Sequence, residues 1–129
     1  MAEPVFHALL LADKVIVENN GKKGLIGVFN RFRFPSFPAN SPSWFIFLTV
    51  SNLCGKHSFS INLTLDEAQI VVLPIGGEFQ SEDINAEIEL ILPVRMVSFP
   101  KAGTYTLTVN IDGKQLASKV LKVEKHEEG

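Results

Sequence analysis

The chain has 129 residues, 46% of them hydrophobic and 20% charged, with a formal net charge of -2. That length fits one domain, residues 1–129, with a two-layer core, and the composition argues against a disordered or membrane-spanning chain. The near-balanced charge supplies no general attraction to nucleic acid or to an anionic membrane, so neither is expected as a partner.

The start, Met1-Ala2-Glu3-Pro4, carries no basic n-region, and the run Ala8 to Ala12 is too short for a signal peptide or a membrane span. Cys54 is the single cysteine, so no internal disulfide can form, and a reducing, cytoplasmic setting is expected.

In chain order, Val5 to Leu11 reads as a first strand with a bend at Asp13, and Lys14 to Glu18 as a short second one. Asn19-Asn20-Gly21 is a hairpin signal, with Gly21 supplying the turn. Gly24 to Phe34 returns as one long strand. Ile26, Val28, Phe32 and Phe34 share a face, but Leu25 and Phe29 fall on the other, which predicts a bulge or burial on both faces. Pro35, Pro38 and Pro42 make 35–43 irregular. Trp44 to Val50 is an aromatic strand, apolar on both faces.

After a turn at 53–56, His57, Phe59, Ile61, Leu63 and Leu65 alternate with Ser58, Ser60, Asn62 and Thr64, a strand with one wet face. Gln69 to Ile75 reads as a strand broken by Pro74 and stopped by Gly76-Gly77, with a polar connection from Phe79 to Asp83. Ala86 to Val94 alternates again and extends toward Val97.

Phe99-Pro100 then leads to Gly103-Thr104-Tyr105. Here Tyr105, Leu107, Val109 and Ile111 alternate with Thr104, Thr106, Thr108 and Asn110. Asp112-Gly113 tolerates the positive φ of a two-residue turn, with Gly113 the critical position, and Leu116 to Val123 runs back. The tail, 124–129, is charged and expected to fray.

Many short strands with evenly spaced turn signals define an all-β fold. The expectation is an antiparallel immunoglobulin-like β-sandwich of about eight or nine strands, with a closed up-and-down β-barrel as the alternative.

Leu10-Leu11-Ala12-Asp13, Asn20-Gly21-Lys22, Ile26-Gly27-Val28-Phe29, Phe34-Pro35 and Phe37-Pro38 carry a resemblance. With Phe99-Pro100, Gly103-Thr104-Tyr105 and Asp112-Gly113, they resemble an uncharacterised family of small bacterial β-sandwich proteins. The resemblance covers nearly the whole chain and implies the fold, with no assigned activity. Gly103-Thr104-Tyr105 also resembles the lead-in to a tyrosine corner, in which the phenol bonds a backbone group a few residues upstream.

No catalytic constellation stands out. His7, His57 and His126 have no partner at metal-ligand spacing, so no metal or cofactor is expected, and His57 reads as a core or boundary histidine. Ser36, Ser41 and Ser43 lie in the proline loop without a Gly-x-Ser-x-Gly elbow, and Asp66-Glu67 and Glu82-Asp83 are turn carboxylates. Enzymatic activity is not expected.

Two features point to binding. Arg31, Arg33, Phe34, Phe37 and Trp44 gather the residue types that dominate interface hot spots. If the strand is regular, Arg31 and Arg33 face away from the core. The same residues fit a second reading, in which the rings cap the open end of the core. Charge is also segregated: Ser58 to Val94 holds seven acids and no Lys or Arg, whereas Lys14 to Lys56 holds six bases against Glu18 alone. That reads first as a solvated acidic face opposite a basic one, and second as complementary association. The leading expectation is a non-catalytic protein-interaction or structural module, binding another protein or itself. The alternative is a carbohydrate- or small-ligand-binding sandwich with Trp44, Phe34 or Phe37 stacked on the ligand.

Overall fold

The computed structural model describes residues 3–125, and no helix occurs among them. The strands are β1 (Val5–Val17), β2 (Lys23–Phe29), β3 (Arg31–Phe34), β4 (Ala39–Asn40), β5 (Trp44–Ser51) and β6 (Gly55–Leu65). They continue with β7 (Ile70–Ser81), β8 (Ile88–Val94), β9 (Ser98–Phe99), β10 (Gly103–Ile111) and β11 (Lys114–Lys125).

A four-stranded sheet has the order β2-β1-β5-β8, a five-stranded sheet the order β3-β11-β10-β6-β7, and β4 pairs with β9 alone. Leu9, Leu11, Trp44, Ile46 and Leu48 from the first sheet and Ile61, Leu63, Tyr105, Leu107 and Leu121 from the second form one buried cluster. The two sheets therefore face each other across a shared core.

The fold is all-β as expected, but its finer plan differs. The ladder is not wholly antiparallel, because β3 runs parallel to β11. Nor do consecutive strands pair around a closed up-and-down barrel: β1 pairs with β5, and β10 with β6.

The clean alternations fold as written. On β6 and β10 the apolar residues are buried, and Thr106 pairs with Thr64 and Thr108 with Asn62 on the outer face. Asp112 and Gly113 both have positive φ, 50° and 82°, and Ile111 pairs with Lys114 across them. That is the two-residue turn whose twist matches paired strands. Gly21 has φ 87° in the β1–β2 turn, its N–H donating to the Glu18 carbonyl at 2.9 Å.

Elsewhere the strand limits move. Asp13 does not end a strand: β1 runs through it, with the Asp13 carboxylate lying over Gly27 of β2. The expected long strand from Gly24 to Phe34 is two strands. At Asn30 the chain leaves the first sheet and enters the second, which is why the alternation slips at Phe29. β7 continues through Pro74 and Gly76-Gly77 to Ser81. It is an edge strand, where the missing proline N–H breaks no central ladder. Gly77 is required by packing, since an added Cβ would come 2.8 Å from the Phe59 ring. β8 starts at Ile88 and ends at Val94, shorter at both ends than expected. β11 starts at Lys114 and holds Glu124 and Lys125 in the ladder with β3, so these two do not belong to a frayed tail. Residues 126–129 lie outside the described residues.

The first sheet also curls. Lys23 pairs with Val17 at one end of β1, whereas Glu89 sits opposite Thr49, itself opposite Ala8 near the other end. Ala8 and Val17 would lie about 30 Å apart along a flat strand. Yet Lys23 Nζ is 2.9 Å from Glu89 Oε1. The first sheet must therefore curve enough to bring the β1–β2 hairpin toward β8.

Candidate interaction surface

The sequence Arg-Phe-Arg-Phe makes β3 amphipathic at a period of two, and the core decides which face turns inward. Phe32 and Phe34 pack against the buried cluster, whereas the Arg31 and Arg33 side chains are 46% and 57% exposed. β3 is an edge strand, so one side of its backbone has no ladder partner among the described residues.

Behind β3 lies a nest of rings. Phe32 sits 4.7 Å from Phe29, 5.7 Å from Phe34 and 5.7 Å from Phe99, centroid to centroid. Trp44 meets Phe29 and Phe32 at steep angles, and Phe99 meets Tyr105 edge-on at 5.1 Å. Phe37, at the tip of the proline loop, packs edge-on against Phe34 at 6.0 Å and is half-buried. Such tilted and edge-to-face pairs add about 0.5–1.5 kcal/mol each beyond the area they bury.

The structure thus separates the sequence-predicted site residues. Arg31 and Arg33 share the outer face. Phe34 and Phe37 close the core beneath them. Trp44, at 1% exposure, lies wholly inside the core, so its ring offers no face to a ligand. Its indole N–H is buried without a hydrogen-bond partner among the described residues.

The electrostatics of the edge come from β11. In the parallel register Arg31 pairs with Lys122 and Arg33 with Glu124, so all four side chains project from the same face. Arg31 Nε lies 2.9 Å and Arg33 Nε 3.7 Å from the same Glu124 oxygen. Among the described residues three cations thus face one carboxylate, and each exposed pair is worth only about 0–1 kcal/mol. Beside them Asn30, Arg31, Val120 and Lys122 line a hollow of about 270 Å³.

The charge blocks of the sequence are partly reconciled within the chain. Lys23 reaches Glu89, and Lys56 Nζ lies 3.2 Å from Glu78. Glu67, beside the β6–β7 turn, receives Lys101 at 2.7 Å.

Tyr105 is fully buried, and its hydroxyl donates to the Lys101 carbonyl at 2.7 Å, four residues upstream. Burial holds the phenol pKa above its ordinary 10.0. Gly103 opens β10 just before it, where an added Cβ would sit 3.2 Å from Leu65 Cδ1.

Sequence reasoning missed a second cluster, at the β10–β11 turn. His57 Nδ1 lies 2.6 Å from Asp112 Oδ2, and Nε2 lies 2.9 Å from the Cys54 carbonyl. The other Asp112 oxygen accepts the Ser58 N–H at 3.0 Å. Both imidazole nitrogens face acceptors, an arrangement only the doubly protonated ring can satisfy. Consistently, the Asp112 hydrogen bond raises the His57 pKa above 6.5, against a smaller lowering by burial. The Ser58 backbone bond, followed by His57, lowers that of Asp112 below 3.8. The cluster borders a hollow of about 500 Å³ with Leu53, Ile111 and Leu116 on its wall and Glu3 and Lys114 at its rim. His57 and Asp112 are 55 residues apart, and the only sequence signal was a histidine on an apolar face.

Among the described residues, no three His, Cys, Asp or Glu side chains gather as a metal site, and no helix is long and apolar enough to cross a membrane.

The chain is similar to a solved structure, the sensor domain of the anti-sigma factor RsgI4 of Pseudobacteroides cellulosolvens. The match has 13% identity and a TM-score of 0.45, covering 100% of this chain and 95% of that one. No curated protein matches the chain. A family model matches residues 7–124, and the chain accordingly belongs to the family of unknown function DUF6941.

Proposed function

We propose that this protein is a non-catalytic binding module whose contact surface is the β3 edge, centred on Arg31 and Arg33 with Phe37 beside them. The observation that supports this most is the display of two arginines on a sheet edge with, among the described residues, a single carboxylate, Glu124, between them. Excess positive charge is held on a strand that the ring nest keeps rigid, which lowers the ordering cost of binding. Arginine on such an edge suits a partner with paired carboxylates. The carbohydrate reading loses its principal stacking ring with Trp44 in the core. The His57–Asp112 pair, with both imidazole nitrogens engaged by the fold, supports a structural rather than a general-base role.

The proposal extends to architecture and setting. The Tyr105 hydroxyl bond four residues upstream supports an immunoglobulin-like arrangement of the two sheets. A single thiol supports a reducing, cytoplasmic location.

The test is affinity capture with mass-spectrometric identification, comparing wild type with Arg31→Ala/Arg33→Ala, alongside thermal melts. The expected result is a defined acidic partner whose binding falls at least about tenfold in the variant, with an unchanged melt. Binding that survives the double substitution, or a melt that collapses with binding intact, would reject the β3 edge as the contact surface.

A further inference from the structure

The hollow beside Arg31 is basic and holds one exposed apolar residue: Val120 is 49% exposed, beside the paired Arg31 and Lys122. Its complement lies on the opposite edge of the same molecule. The β7–β8 connection carries Glu82, Asp83 and Glu87 around Ile84, whose side chain is 41% exposed. This loop is ordered by its own hydrogen bonds. Ser81 Oγ donates to the Asp83 carbonyl at 3.0 Å, and the Asn85 N–H donates to Asp83 Oδ1 at 2.9 Å. The Ala86 N–H also donates to the Asp83 carbonyl, at 3.0 Å.

One surface therefore sets an exposed valine beside two cations, and the other an exposed isoleucine among carboxylates. They cannot meet within one chain: β3 and β7 are the two edges of a five-stranded sheet, roughly 19 Å apart at ordinary strand spacing. We propose that the acidic Glu82–Glu87 loop of one copy docks into the Arg31–Val120–Lys122 hollow of a second copy. The inference rests on the β3 edge being a contact surface and names its partner as this same chain. The contact joins unlike surfaces, so each added copy leaves one of each open, and assembly proceeds head to tail into chains or a ring. Each exposed ion pair contributes little and is screened by salt, so the association is weak and salt-sensitive.

The test is solution mass against concentration, up to about 100 µM, in roughly 20 mM and roughly 0.5 M salt, where the screening length falls to about 4 Å. Two variants each remove one surface: Arg31→Glu/Lys122→Glu the hollow, Glu82→Lys/Glu87→Lys the acidic loop. Asp83 is left intact because it holds the loop. Circular dichroism and melts check each fold, with Arg31→Gln and Ile84→Ser as milder substitutes should a charge reversal unfold the chain.

Wild type is expected to grow in mass at low salt and to return to monomer at high salt. Each variant alone should stay monomeric. Their equimolar mixture should associate again, since each supplies the surface the other lacks and the two reversed surfaces are also opposite in charge. A wild type that stays monomeric at low salt overturns self-docking, while the capture experiment still decides whether the β3 edge binds another protein. Association that persists in both variants, or a mixture that stays monomeric, overturns the pairing of these two surfaces.

Discussion

At the scale of single residues, Tyr105 and His57 each tie together parts of the chain that lie apart in sequence or end different strands. Tyr105 fills the core beside Phe99 and reaches back to Lys101 through its hydroxyl. Tyr105→Phe removes one hydrogen bond, so denaturant melts should show a loss of about 0.5–1.5 kcal/mol. Tyr105→Ala also leaves a large cavity and should cost about 3–5 kcal/mol. A neutral alanine variant would contradict the burial. His57 predicts a pH dependence, because it bridges the Asp112 turn and the Cys54 carbonyl as a cation, with Glu3 and Lys114 at the same hollow and Phe79 stacked on its ring. Its pKa is raised in the fold, so its stabilisation is complete below 6.5 and is lost as pH rises through the higher folded value. The Asp112 pKa is lowered, so its contribution is present above 3.8 and is lost as pH falls through the lower folded value. Melts should therefore favour wild type over His57→Gln most strongly between those limits, with the difference shrinking on the alkaline side. A gap between the two proteins that stays constant from about pH 5 to 9 would mean that folding leaves the His57 pKa unshifted.

At the scale of elements, legibility followed how local each signal was. β6 and β10 were readable because each has one face on the core and one in water, so burial prints a period of two directly into the sequence. The Asp112-Gly113 turn was readable because positive φ at both positions restricts residue choice. Gly113→Val should therefore cost about 1–3 kcal/mol, whereas Lys114→Ala should change stability by less than about 0.5 kcal/mol. Equal effects would mean that the hairpin closes by a longer loop. The break at Asn30 was not readable. Phe29 and Phe32 both face apolar surroundings, and nothing in a window of ten residues states that one belongs to the first sheet and the other to the second. Pro74 misled for a related reason: a proline that forbids a central strand is acceptable on an edge, and edge position belongs to the whole sheet.

At the scale of the whole molecule, the candidate site was half legible. The alternation of Arg31-Phe32-Arg33-Phe34 placed the arginines outward correctly, but Glu124, their counter-charge, came from a segment that looked like loose tail. Trp44 looked available because large rings near a proline loop suit both a binding surface and a core lid. Its neighbours decide the matter, since Phe29 precedes β3 and Phe32 lies on it. Trp44 therefore spans the interface between the sheets: its strand, β5, belongs to the four-stranded sheet, whereas Phe32 belongs to the five-stranded one. That position makes the single tryptophan a probe of cooperativity. If the two sheets share one core, separating them must expose Trp44 at the same point at which strand structure is lost. Urea unfolding followed by tryptophan emission and by far-UV circular dichroism should then give one midpoint, with a slope of about 1–3 kcal/mol per molar. A tryptophan transition at clearly lower urea than the loss of strand signal would show that the ring nest opens first, leaving the remaining sheets folded. In that event the β3 edge would be a mobile flap, and its arginines would lose the rigid backing that the proposed contact surface assumes.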